Sequence, residues 1–237
     1  ADERLVHVTT AEGPRTLPYH ELVVGVGSRD ATAPVPGLAE HGWSLKDPDG
    51  LAALRAHLAG LTEPETVVVA GGGFTGVEAA AALAQRLPEA RVVLAHSGAQ
   101  ALPMLRPRFA RIADYAVAQA RACGVEFLPG ARLCRVTAEG ADLGAAGFVP
   151  STTVISTVGQ TPVALPGLQR FVRDASGRLV TDRWLRVTPG IWAGGDVAAV
   201  PHPSGDGPCP AAGMHPARRR RSLARRGHSA GRPGVRI

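Results

Sequence analysis

The stretch VVVAGGGFTGVEAAAALA, Val67 to Ala84, decides the fold. Residues suited to a buried strand run straight into glycines, and an alanine-rich segment with helical character follows. Gly71, Gly73 and Gly76 satisfy G-x-G-x-x-G directly after the strand and directly before the helix, the setting that this motif requires. The first glycine permits a tight turn, the second lets a pyrophosphate approach the backbone, and the third lets helix and strand pack closely. Backbone N–H groups and the positive helix end then face the phosphates. On this reading Gly71, Gly72, Gly73, Phe74, Thr75 and Gly76 form a dinucleotide-binding turn. The alternative is a glycine-rich turn that serves packing alone.

Outward from the turn, TVVVA (66–70), VEAAAALAQRL (77–87) and RVVLA (91–95) complete a βαβ unit. A further helix is predicted over 106–124, and VEFL (125–128), RLCRVTAE (132–139) and TTVISTVG (152–159) read as strands. The alternation implies an α/β fold with a largely parallel, doubly wound, Rossmann-like sheet covered by helices. Upstream, RLVHVTT (4–10) and ELVVGVGS (21–28) are predicted as extended pieces, with a turn at Glu12-Gly13-Pro14. Beyond the proline-rich APVPG (33–37), Asp47 is placed to cap a helix that Pro48 opens. After Pro162 come a turn at Ala175-Ser176-Gly177, short strands at RLVT (178–181) and WLRV (184–187), and IWAGGDVA (191–198), another apolar strand meeting glycines.

With 237 residues, 45% of them hydrophobic, the chain has ample material for a packed core. No apolar run approaches the roughly 18 residues that span a bilayer, and ADERLVHVTT lacks the layout of a secretion signal. The expected location is cytoplasmic, with peripheral attachment at the inner face of a membrane left open. Cys123, Cys134 and Cys209 show no CxxC spacing, so neither a disulfide framework nor a metal site is indicated. The net charge of +6 belongs to the end of the chain: residues 215–237 hold eight arginines and no acid, leaving the remainder near −2.

An NAD-binding unit usually carries an acid about 20 residues beyond its first glycine, at the end of the second strand, to bond the ribose hydroxyls. Here that strand ends in Ala95, His96 and Ser97, so the choice between NADH and NADPH stays open. His96 either faces a 2′-phosphate or is a surface histidine without that role. Glu78, two residues past the last motif glycine, is either a first-turn carboxylate favoured by the helix dipole or a carboxylate near the nicotinamide.

Four ordered segments, LPYHELVVGVGSR (17–29), VVVAGGGFTGVEAA (67–80), VISTVGQTP (154–162) and GRLVTDRWLRVTPGIWAGGDVA (177–198), give the chain a family likeness. It resembles the two-dinucleotide-binding-domain flavoprotein reductases, in particular type II NADH dehydrogenases and apoptosis-inducing-factor-like oxidoreductases. The resemblance implies FAD and NAD(P)H as cofactors. It assigns the GGGFTG turn to the NAD(P)H pyrophosphate, Glu78 to the vicinity of the nicotinamide, and Gly159 to packing against that cofactor. Asp196 matches the aspartate that bonds the flavin's ribityl chain, with Gly195 allowing close approach; a helix N-cap is the other reading of Asp196. VVGVGS resembles a crossover motif near FAD, with Val26 where threonine is usual. The cysteine pair of thioredoxin-reductase-like members is missing.

The resemblance divides the chain into residues 1–47 and 155–207, two segments of a partial FAD-binding domain, and 48–154, the NAD(P)H-binding domain. Family members open with a further G-x-G-x-x-G for FAD, so the chain is expected to be N-terminally truncated. Residues 208–237 are expected to form a disordered basic tail, read as out-of-frame translation of a GC-rich gene, the alternative being a solvated arm that binds nucleic acid or anionic lipid. The implied activity is hydride transfer from nicotinamide to flavin and on to a quinone or other acceptor, such as a redox protein. The alternative is a non-catalytic dinucleotide-binding remnant. No side chain need act as a general acid or base, and no specific nucleic acid is implied. A homodimer and a peripheral membrane contact are both compatible with the resemblance.

Overall fold

The computed structural model describes residues 4–32, 34–61 and 64–201. The expectations for residues 208–237, and Cys209 with them, lie outside the described residues. The chain divides into two compact units, one of Arg29–Thr161 and one of Ala1–Ser28 with Pro162–Ile237.

The Arg29–Thr161 unit is built on a five-stranded parallel sheet. Its elements in chain order are α1 (Leu38–His41), β1 (Gly42–Trp43), α2 (Pro48–Ala59), β2 (Thr66–Ala70), α3 (Phe74–Arg86), β3 (Arg91–His96) and α4 (Arg106–Ala122). There follow β4 (Glu126–Pro129), β5 (Arg135–Thr137), β6 (Gly140–Asp142), β7 (Phe148–Pro150) and β8 (Thr153–Ser156). The sheet order is β1-β8-β2-β3-β4, with Val68 opposite both Val154 and Val93. Strands buried on both faces need apolar residues at every position, which explains the continuous runs Val67–Ala70 and Val92–Ala95.

Alternate residues of those runs face different layers. Val67, Val69, Val92, Leu94 and Ile155 pack with α2, α3 and α4 through Leu54, Ala80 and Ala113. Val68, Ala70, Ala95 and Val154 face the opposite way, against Leu38 and residues such as Val136, Ala141 and Val149 of the β5-β6-β7 meander. The α/β class and the parallel Rossmann-like sheet are as the sequence predicts. The difference is in what covers the second face, where a three-stranded antiparallel meander occupies ground expected for helices. Its strands are short and its alternation weak, which is why RLCRVTAE reduces to Arg135–Thr137.

In the other unit, Leu5–Thr10 and Gly13–Pro18 form an antiparallel hairpin. Ile191–Ala193 pairs in parallel with Leu22–Val24 and antiparallel with Arg186–Thr188. The extended piece expected over 21–28 is interrupted after Val24, because Gly27 adopts φ +69°, a left-handed conformation outside the strand range. Val24, Leu179, Ile191, Ala193 and Val197 form this unit's core.

α2 begins as expected. The Asp47 carboxylate accepts the Gly50 amide at 2.7 Å, and Pro48 lies in the first turn. Asp47→Ala should therefore lower unfolding free energy by about 1 kcal/mol. Urea titration of the two proteins measures it, and an unchanged midpoint would count against the cap.

Candidate functional site

The glycine turn between β2 and α3 is fixed from three sides. The Gly71 amide donates to Ala95 O on β3 at 2.8 Å, and the Leu102 amide donates to Gly72 O at 2.7 Å. From the β8 side, the Thr157 amide and hydroxyl both donate to Ala70 O, at 2.8 and 3.0 Å. Gly71 has φ +127°, where a side chain would be strained. A Cβ added at Gly76 would lie 1.8 Å from Gly71 O, and one added at Gly71 would lie 2.2 Å from Thr157 Oγ1. These two glycines are required by close packing. Thr157 was not singled out from the sequence, because its partner lies 87 residues away.

Gly73 differs from both. A Cβ built there meets nothing within 4 Å, so its open side faces free space. Gly73 is the N-cap of α3, with no side-chain cap, and the Val77 amide bonding Gly73 O at 3.1 Å marks the first helical turn. The amides of Phe74, Thr75 and Gly76 precede that bond at the positive end of the helix. Phe74 packs its ring against the helix-side core and Thr75 is exposed. α3 thus starts inside the motif, three residues earlier than the periodicity suggested.

Glu78 is exposed on α3 and lies beyond the first turn, which holds no acid. The first-turn dipole account of Glu78 is corrected accordingly, since the dipole's influence falls off within that turn. His96, at the end of β3, is only 6% exposed, so it is not a surface histidine. A Cβ added at Gly72 would stand 2.8 Å from His96 Cβ, which shows how closely the ring's stem packs under the turn. Its Nδ1 is buried without a hydrogen-bond partner in the protein. Burial pushes the imidazole below its ordinary value of 6.5, and Arg106 adds to that effect, against the Gly98 backbone, which favours the charged ring.

Gly159, at φ +77°, is exposed after β8, and a Cβ there would touch Ala31 Cβ at 3.4 Å. In the other unit the Gly194 amide donates to Val24 O at 3.0 Å, and Gly195 has φ +73°. Added Cβ atoms at Gly194 and Gly195 would meet nothing within 4 Å, so the backbone there is open to close approach. Asp196 lies within the 3-10 turn Gly195–Val197, whose N-cap is Gly194, so the N-cap reading of Asp196 is corrected. Its Oδ2 accepts the Ser28 hydroxyl at 2.7 Å.

Residues 1–231 match the pattern described as pyridine nucleotide-disulphide oxidoreductase. The chain belongs to that family. It is 33% identical over 211 residues to an NADH dehydrogenase-like protein of Mycobacterium tuberculosis, covering 81% of this chain and 52% of that one. An external alternative NAD(P)H-ubiquinone oxidoreductase of Arabidopsis thaliana is 27% identical over 242 residues, covering 84% of this chain and 41% of its own. The chain thus spans about half the length or less of these curated relatives. Among solved structures, the water-forming NADH oxidase of Lactobacillus brevis aligns with a TM-score of 0.69 at 23% identity, over 88% of this chain and 47% of that one. That likeness concerns the fold.

In this member of the family, Cys123 and Cys134 are free thiols. Among the described residues no group of three or more His, Cys, Asp or Glu is placed to hold a metal ion, and no helix is long and apolar enough to cross a membrane. The α3 end fits a pyrophosphate on its own geometry: uncapped amides, a bare glycine beside them, and open space where its Cβ would stand.

Two outcomes follow from this geometry. Gly76→Ala should be strongly destabilising, by more than about 2 kcal/mol, because its methyl group collides with rigid backbone, whereas Gly73→Ala should cost under about 1 kcal/mol. Denaturant titration compares them. The pH dependence has a definite sign: a histidine whose folded value is depressed binds fewer protons folded than unfolded, so its stabilising contribution is full above about 6.5 and is lost as pH falls through the folded value. The unfolding free energy of His96→Leu should therefore fall less than that of the wild type between about pH 7.5 and 5.5, and parallel pH profiles would refute the assignment.

Proposed function

We propose that this chain carries the dinucleotide-binding elements of an FAD-dependent NAD(P)H oxidoreductase. Bound together, the two cofactors would supply hydride transfer from nicotinamide to flavin, and a quinone or another redox acceptor would take the electrons onward. What carries the reading is the uncapped N-terminus of α3 beside the open Gly73. A pyrophosphate carries negative charge and many acceptor oxygens, and the amides of Phe74, Thr75 and Gly76 answer both properties. Gly71, Gly72 and Gly76 hold those amides in place, while Gly73 leaves room for the phosphates. The names of the relatives support the wider activity: the Arabidopsis protein is an NAD(P)H-ubiquinone oxidoreductase, and a Synechocystis relative, 28% identical over 197 residues, is a demethylphylloquinone reductase.

The remaining residues have positioning roles in this reading. Glu78 lies on α3 and Gly159 follows β8, both toward the nicotinamide portion, where Gly159 allows a ring to approach the backbone. Asp196, steadied by the Ser28 hydroxyl, bonds the ribityl chain of FAD, and Gly195 gives that chain access. None of these groups exchanges a proton with substrate; each binds or orients. A peripheral membrane contact and a homodimer remain compatible with a quinone-directed enzyme of this kind. No specific nucleic acid enters the reading.

The purified chain should be yellow and should bleach on anaerobic addition of NADH or NADPH. Gly73→Val, with its side chain projecting into the phosphate space, should weaken dinucleotide binding at least about a hundredfold, or roughly 2.7 kcal/mol. Isothermal titration calorimetry reads this directly, and unchanged affinity would sink the phosphate role. Asp196→Ala should lower flavin occupancy, measured by absorbance against protein content. Colourless protein that still binds the dinucleotide would instead favour the non-catalytic remnant.

A further inference from the structure

The outer face of α4 carries more apolar surface than a solvent-facing helix needs. At 3.6 residues per turn, Arg108, Arg111, Ile112, Tyr115, Ala118 and Ala122 fall on one stripe, with Gln119 beside them. All of these residues are exposed, Ile112 at 57% and Tyr115 at 66%. The opposite face buries Ala113 and Ala120 and packs Ala116 and Val117 against the core. A surface helix ordinarily sets charged and polar residues opposite its core stripe, whereas α4 is apolar on both sides. Two more half-exposed apolar side chains stand where the helix begins: Met104, and Phe109, whose backbone leaves helical geometry at φ −134°, ψ 40°. Single exposed apolar residues are commonplace, but a cluster along one element marks a surface that something covers.

The charge on this stripe selects what covers it. Arg108 and Arg111 stand beside Ile112 and Tyr115, and the stripe holds no acid. The helix's one carboxylate, Asp114, lies off the stripe and is bonded by Arg106 Nη1 at 2.8 Å. A second copy of the chain, packed face to face, would set these arginines against their counterparts with no carboxylate between them. The surface is also convex, a single helix with protruding side chains, whereas a protein partner would need a groove shaped to it. A lipid surface adapts to such side chains, takes tyrosine and phenylalanine at headgroup depth, and offers phosphates to guanidinium groups.

We propose that the outer face of α4 docks on an anionic lipid surface, with Phe109, Ile112 and Tyr115 entering the headgroup boundary and Arg108 and Arg111 bonding lipid phosphates. The helix would lie along the surface and not span it, held by few apolar groups and two charges, so the attachment is reversible. None of these residues belongs to the α3 turn, so lipid binding and dinucleotide binding stand or fall separately.

Sedimentation of the full chain with vesicles tests this. Vesicles of phosphatidylcholine and phosphatidylglycerol in equal amounts should bind it at least about tenfold more strongly than phosphatidylcholine alone, and Arg108→Gln with Arg111→Gln should remove most of that difference. The eight arginines of residues 215–237 attract anionic lipid by charge alone, so the apolar part of the contact is read at high salt, where such attraction is screened. There, Ile112→Ser with Tyr115→Ser should lower the remaining partition at least about tenfold, with the urea midpoint unchanged. Tyr115→Trp should add tryptophan fluorescence that lipid brominated on its acyl chains quenches, and this reading decides the matter should the serine pair unfold. Equal partition of the serine pair and the wild type, or no added quenching, overturns the proposal. So does low-salt binding that the two glutamines leave intact, which would belong to the arginines of 215–237. A chain that ignores vesicles but forms dimers abolished by the serine pair assigns the face to a second copy and overturns the lipid reading as well.

Discussion

The contact between Gly76 and the carbonyl of Gly71 is the constraint on which the rest of the molecule depends. It brings the start of α3 so near the end of β2 that no side chain fits between them, with the position of a missing Cβ 1.8 Å from the carbonyl oxygen. Such closeness is sustained only because the neighbouring strands satisfy the turn's inward-facing groups. β3 accepts the Gly71 amide through Ala95 O, and Thr157 donates twice to Ala70 O. With the inner groups engaged in the sheet, the next amides emerge at the helix end and face outward. The geometry of the turn is thus a product of parallel-sheet packing, not of the loop alone.

That dependence explains what could be read from the sequence. The turn was legible because only glycine satisfies its structural demands at two positions, φ +127° at Gly71 and backbone contact at Gly76. The parallel strands were legible because burial on two faces forces unbroken apolar runs. Asp47 and Pro48 announced α2 through chemistry confined to one turn of chain. Each of these features is local, or has a local signature.

What was not legible arises from contacts distant in sequence. His96 reads as a polar residue followed by Ser97 and Gly98, yet the glycine turn packs on its stem and the ring is buried. Thr157 shows nothing unusual until β8 is laid beside β2. The meander on the second face was missed as a layer because its strands are three residues each, too short for a period to register. Glu78 was misplaced by a single turn, since the helix begins at Phe74, inside the motif and not after it. The extended run at 21–28 failed for the converse reason: valines promised a strand, which stops at Val24 ahead of the left-handed Gly27.

The turn and the strand end beside it are built by different rules. In the proposed reading the start of α3 offers a phosphate backbone amides, which mutation of side chains scarcely alters so long as the three glycines remain. The cavity beside the end of β3 is lined by side chains, among them an imidazole, two guanidiniums and the carboxylate that ties one of them down. Burial disfavours the charged form of the His96 ring, so the electrostatics of this cavity are set by Arg106, Arg121 and Asp114, and their sum is positive. The backbone of the turn is held by the sheet, through Ala95 O and Ala70 O, whereas the cavity's charge depends on side chains that no strand holds in place.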